Sequence, residues 1–432
     1  MLGLVAVTGC APPEPPSMVL WIVDTLRQDR LGVYGFDRPV SPHYDALAAE
    51  STVFDAAFAQ SSWTRPTVAS ILTGVGPARH AVHSMNHSLA ETWTTLPERL
   101  SELGYATAGF SANGNVKREL GFAQGFDEFW FSNRVTAGTM AERALAWLDE
   151  LGRGQPFFLM ILSVEPHDGY EPAAPFRERF AAEVADPDVG TESFMDDLRW
   201  GESKARAADS ELVKDLLALY DGEVAWNDQQ FGDFRRELTE RGLDPAIIVV
   251  ADHGEAFGEH GRFGHIDLQA EVMRVPLLIR LPGQTKGRRS GVPVSQVDLA
   301  PTLVELAGGA QALDDDGVSL VPALGDRPAG GLSSGRPILS VSMLRRGEVV
   351  PEYSLVNRGW KLVWTPDRET VELFSWRSKE GEAVNLAEDH PAIASGMLHD
   401  LRQRIEQADA VSVETELDEE TRRQLKAMGY IE

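Results

Sequence analysis

Five short apolar runs that do not alternate with polar residues constrain this chain most. They lie at 19–23, 106–110, 156–162, 246–251 and 276–281. A strand with one face in water alternates; a strand apolar at every position is buried on both faces, as in parallel sheets. Between the runs, segments 44–50, 140–151, 211–241 and 298–306 carry apolar residues at helical spacing. Strand and helix in repetition predict an α/β fold with a mostly parallel central sheet covered on both faces by helices. The runs are read here as parallel strands. In such sheets ligands bind beyond the carboxyl ends of the strands.

A Gly/Pro/Ser-rich stretch, 325–337, changes the texture of the chain. Beyond it, runs at 338–342, 353–356, 360–364 and 370–374 are short and separated by polar turns, which predicts a small antiparallel sheet. A final helix over 392–407 and an acidic tail follow. The expected organisation is a leader and Pro-rich tether (1–17), a catalytic domain (18–324) and a small C-terminal subdomain (325–432), the boundary falling between about 308 and 337. A hydrophobic fraction of 43% over 432 residues leaves core size no limitation.

The 66 acidic against 40 basic residues give a net charge of −26. Such a field repels nucleic acid and anionic membranes, and a small anionic substrate requires local positive charge, a metal or an Arg. Cys10 is the single cysteine, so intrachain disulfides and cysteine-rich zinc sites are excluded. The stretch Val7, Thr8, Gly9, Cys10 resembles a bacterial lipobox, although no Lys or Arg precedes its short apolar run. It predicts a lipid anchor at Cys10 in the bacterial cell envelope, periplasm or outer surface; the alternative is a disordered tail with an incidental cysteine. No stretch approaches the roughly 18–20 apolar residues of a membrane span.

Two of the buried runs end in metal-ligand chemistry. Asp24 follows the first; Asp252 and His253 follow the fourth. Side chains just past a buried strand sit where the sheet opens, so these three can converge on one divalent ion. Oxygen ligands with one nitrogen favour Ca²⁺ first, with Mn²⁺ or Mg²⁺ as alternatives, over thiolate-loving metals. Taken singly, an Asp after a strand is more often a helix cap or turn residue. In 62–74, Pro66 suits the first turn of a helix and Gly74 its end, which puts Thr64 just outside the N-terminus. There, free N–H groups and the dipole stabilise an oxyanion or a phosphoryl or sulfuryl group; a structural turn is the bland reading.

In sequence order, the segments 23–35, 64–74, 165–170 (Glu165, Pro166, His167, Asp168, Gly169, Tyr170), 252–261, 274–283 and the C-terminal 360–363 and 372–386 resemble the sulfatase family of the alkaline-phosphatase superfamily, from Met18 to the terminal 428–432. The resemblance implies an alkaline-phosphatase-like fold and hydrolysis of sulfate- or phosphate-type esters. It implies Asp24, Asp252, His253 and Thr64 at one divalent metal, and Thr64 as nucleophile. His167 and His265 fall at substrate-contacting or proton-donating positions; Asn113 and Arg65 are candidates for contact with the transferred group. His260 is a loop or supporting histidine. The implied substrate is a small anionic ester, or a sulfated or phosphorylated glycan or lipid.

Departures from the pattern carry information. Family members oxidise a Cys or Ser to formylglycine, and Thr64, a secondary alcohol, cannot form that aldehyde. Val68 replaces the motif's Arg, and Thr25 stands where many members have a second Asp. Thr at the nucleophile position favours phosphate or phosphonate esters over sulfate esters. The rival readings are transfer of a phospho-group to an alcohol, and an inactive surface binding lipoprotein.

Overall fold

The computed structural model describes residues 15–200, 210–312, 314–325, 332, 335–345, 348–378 and 381–427. Cys10 and the terminal segment 428–432 lie outside them. Among the described residues the central sheet has the order Arg288–Ser290, Thr52–Phe54, Leu277–Arg280, Ala246–Ala251, Met18–Val23, Phe157–Ser163, Ala106–Ser111, Glu128–Phe131. Every residue of Met18–Val23 is fully buried, as its unbroken apolar run requires. Ala137–Glu150 packs on Phe157–Ser163 and on the long helix Ser210–Glu240. A second group, Thr64–Thr73, Leu96–Glu102 and Leu299–Leu306, packs together.

All neighbouring strands run parallel except Leu277–Arg280, which is antiparallel to both of its neighbours. The expectation of a parallel strand over 276–281 is therefore corrected. Lack of alternation reports burial on both faces, not direction. A parallel return needs a long crossover, and 252–276 holds only two-residue strands, one 3₁₀ turn and a four-residue helix.

A four-stranded antiparallel meander follows: Ile338–Arg345, Glu348–Asn357, Trp360–Thr365 and Thr370–Ser375. Pro391–Glu406 lies across it, burying Leu401 against Leu355, Leu362 and Leu373. Among the described residues no helix is long and apolar enough to cross a membrane.

Candidate active site

Strand register brings the first cluster together. Val23 pairs with Ser163 on one side and Ala251 on the other, so Asp24 and Asp252 leave neighbouring strands at one level. Thr25 turns the chain with φ 54 and donates its N–H to Asp252 Oδ1 at 3.1 Å. Gln296 Nε2 donates to the carbonyls of Ala251 (2.6 Å) and Asp252 (2.7 Å), fixing that strand end. His253 Nδ1–H donates to the Gly254 carbonyl at 3.0 Å, which leaves Nε2 with its lone pair. Nε2 stands 3.7 Å from Asp24 Oδ1 and 3.4 Å from Asp252 Oδ2.

Those three atoms, Asp24 Oδ1, Asp252 Oδ2 and His253 Nε2, are buried and have no hydrogen-bond partner. All three lie within 4.8 Å of one another. Ligands about 2–2.6 Å from a shared ion have this spacing, so the residues fit a divalent metal. Electrostatics agree. Burial pushes Asp24 up to about 6, and burial plus the Asp24 charge pushes Asp252 up to about 7. Burial lowers His253 to about 3, which keeps the imidazole neutral. A cation between them relieves the cost of ionising both carboxylates.

Thr64 is the first residue of Thr64–Thr73, with Trp63 extended at its cap and Gly74 at φ 74 ending the helix. The expectation of Thr64 just outside the helix is thus shifted by one residue, because Trp63, not Thr64, holds the extended cap conformation. Asn113, two residues past Ala106–Ser111, joins Thr64 to the first cluster. Its Nδ2 donates to Asp24 Oδ2 at 2.6 Å and to Thr64 Oγ1 at 3.2 Å.

Arg65 does not join them. Its buried guanidinium donates to the carbonyls of Met85 (2.5 Å), His87 (3.1 Å) and Ser84 (3.3 Å), and to Asn115 Oδ1 (3.1 Å). Adjacent helical residues point in different directions, and the Arg65 guanidinium is turned to loop 84–87.

Two histidines complete the cluster. The His265 ring centroid lies 4.6 Å from that of His253 and 5.1 Å from that of His167. His167 Nδ1 forms an ion pair with Asp168 Oδ1 at 2.5 Å, and its N–H donates to the Asp168 carbonyl at 3.3 Å. Burial opposes charging this ring, yet Asp168 and Asp24 outweigh it and raise His167 to about 9. Burial, with His167 and Arg199 nearby, holds His265 well below its usual value; its Nδ1–H points to Glu255 Oε1 at 3.3 Å. His260 stays outside, exposed, with Nε2 3.8 Å from Glu271 Oε2.

Sequence reasoning missed Asp168, Glu255 and Arg199. The first two adjoin motif residues and were there to be found. Arg199, in Glu192–Trp200, had no signal among its charged neighbours, yet it is buried and pairs with Asp168 Oδ2 at 2.5 Å.

The sheet topology, with a buried acid–imidazole cluster at its strand ends that fits a divalent metal, agrees with the alkaline-phosphatase type of hydrolase. Residues 16–310, more than half of the chain, match the sulfatase family model, and 258–410 match the model for the C-terminal part of N-sulphoglucosamine sulphohydrolase. The chain belongs to the sulfatase family, enzymes that hydrolyse sulfuric and phosphoric ester bonds. It is 28% identical over 262 residues to the multifunctional alkaline phosphatase superfamily protein PehA of Trinickia caryophylli, covering 55% of this chain and 49% of that protein. A protein solved in complex with its substrate D-glucosamine-2-N,6-O-disulfate superposes with a TM-score of 0.76 at 19% identity, over 96% of this chain and 98% of that one. The phosphonate monoester hydrolase of Agrobacterium radiobacter gives 0.75 at 19%, over 94% and 98%. At these identities the two structures speak to the fold.

Proposed function

We propose that this protein is a metal-dependent hydrolase that uses Thr64 as its nucleophile and prefers phosphate or phosphonate esters to sulfate esters. The observation that carries it is the set of three unpartnered buried atoms, Asp24 Oδ1, Asp252 Oδ2 and His253 Nε2, tied through Asn113 to Thr64 Oγ1. Asp24, Asp252 and His253 would hold the ion, with Thr64 beside them; when bound, it supplies Lewis acidity toward the substrate's non-bridging oxygens. Ca²⁺, Mn²⁺ and Mg²⁺ all suit this donor set.

Thr64 Oγ1, its proton lost to solvent, attacks phosphorus as the ester P–O bond breaks. The departing alcohol oxygen takes a proton from His167, which Asp168 keeps charged. Asn113 Nδ2 orients the nucleophile. In the second step water attacks phosphorus and displaces Thr64 Oγ1. His265, whose Nδ1–H is turned to Glu255, receives the water's proton at Nε2. The preference for phosphorus follows from Thr64. A sulfated Thr is an ordinary alkyl sulfate, with no geminal hydroxyl through which to expel sulfate.

The test is kcat/KM for an aryl phosphate, an aryl phosphodiester, an aryl phosphonate and an aryl sulfate, with Thr64→Ala as the blank. Phosphorus esters are expected to lead by about tenfold, roughly 1.4 kcal/mol of barrier. A wild type that prefers the sulfate, with Thr64→Ala inactive, would replace this reading with a Thr-dependent sulfatase. The lipobox-like stretch ending at Cys10 supports attachment to the cell envelope; Cys10→Ala is expected to move a membrane-fractionating protein into the soluble fraction.

A further inference from the structure

His265 opens 265–269, a segment buried apart from Ile266 and with no ladder of its own. Buried backbone groups need partners, and three charged side chains of the C-terminal unit supply them. Glu352 Oε2 accepts the Leu268 N–H at 2.9 Å. Lys361 Nζ donates to the Leu268 carbonyl at 2.5 Å. Glu382 Oε2 accepts the Ala270 N–H at 2.9 Å. The three side chains are nearly inaccessible, at 4%, 1% and 5% exposure. They are also closed among themselves: Lys361 Nζ reaches both Glu382 oxygens at 2.7 and 2.9 Å, and Thr365 Oγ1 donates to Glu352 Oε1 at 3.1 Å.

From this arrangement we infer that Lys361, Glu352 and Glu382 are positioning residues for His265. The C-terminal sheet is then a working part of the hydrolase: it grips both polar groups of Leu268 and the N–H of Ala270, and so sets where the preceding imidazole stands. The inference rests on the proposed role of His265 in releasing the group from Thr64. Loosening the grip slows water's attack on the Thr64 ester more than it slows that ester's formation. The covalently modified Thr64 therefore accumulates.

The experiment uses the full-length protein with saturating divalent metal and an aryl phosphonate. In Lys361→Met, rapid-mixing traces are expected to show a burst of aryl alcohol approaching one per site, then a steady state at least about tenfold slower than wild type. Mass spectrometry of the quenched enzyme should find the group on the peptide containing Thr64. His265→Ala should behave alike. Glu382→Gln, which keeps the shape of the side chain, serves if Lys361→Met does not fold, and should give the same burst in weaker form. Amide hydrogen exchange should accelerate at Leu268 and Ala270 and stay unchanged in Met18–Val23.

Lower activity with neither a burst nor a loaded Thr64 would overturn the inference, as would unchanged exchange at Leu268 and Ala270. A wild type that turns over no ester overturns the functional reading instead. The exchange measurement then still decides whether the grip on 268–270 exists.

Discussion

At the ends of Met18–Val23 and Ala246–Ala251, three buried atoms, Asp24 Oδ1, Asp252 Oδ2 and His253 Nε2, have no hydrogen-bond partner. On the C-terminal sheet, Lys361, Glu352 and Glu382 are just as buried, yet each meets both a neighbouring side chain and the backbone of 268–270. An unpaired buried polar atom costs about 1–3 kcal/mol, so a fold tolerates three of them together only where something else completes them. A closed network needs nothing further and acts as a brace. The two regions are separable by what each loses when one member is changed.

The largest effect is expected at Thr64. Thr64→Ala should lower kcat/KM by about a thousandfold or more, roughly 4 kcal/mol of barrier, while calorimetry shows metal binding retained. Loss of metal affinity on the same scale would mean that the hydroxyl belongs to the ion rather than to the chemistry.

Next comes the brace. Lys361→Met leaves the buried Glu382 carboxylate without its cation, and chemical denaturation should show a loss of about 3–5 kcal/mol, equal with and without metal. The open cluster should behave in the opposite way. Wild-type Tm should rise on adding Ca²⁺ or Mn²⁺, by about 4 kcal/mol of stability at a thousandfold excess over Kd, and a chelator should reverse it. Asp252→Asn should abolish that rise and, without metal, should be no less stable than wild type, since it removes a carboxylate that faces Asp24. A variant equally destabilised in both conditions would erase the contrast between the regions.

The smallest effect belongs to Arg65. Arg65→Lys loses donors to the 84–87 carbonyls and should cost about 1–3 kcal/mol in denaturant titration. KM should stay within about twofold, since no substrate contact is lost. A KM rise of tenfold would return Arg65 to the substrate.

What the sequence made legible depended on how local its cause was. Unbroken apolar runs exposed the sheet, and the residue just after each run exposed Asp24, Asp252 and His253, because strand ends in register place those positions side by side. The direction of Leu277–Arg280 was not legible from its own residues; it followed from the chain before it, which has no crossover helix. Arg65 stands next to Thr64 in sequence, yet its guanidinium turns to the 84–87 carbonyls, since adjacency in sequence says nothing of direction on a helix. Arg199 lies 31 residues from its partner Asp168, and nothing in Glu192–Trp200 announces that pairing.

The grip of the C-terminal sheet on 268–270 also bears on how this enzyme ages in use. Since His265 is set by a contact between two separately packed cores, heat need not melt the central sheet to stop turnover. Partial opening of the smaller core, with its six buried apolar residues, is enough to release the loop. Activity should therefore fade below the main unfolding transition and return on cooling, until prolonged heating exposes the larger core and the loss becomes permanent.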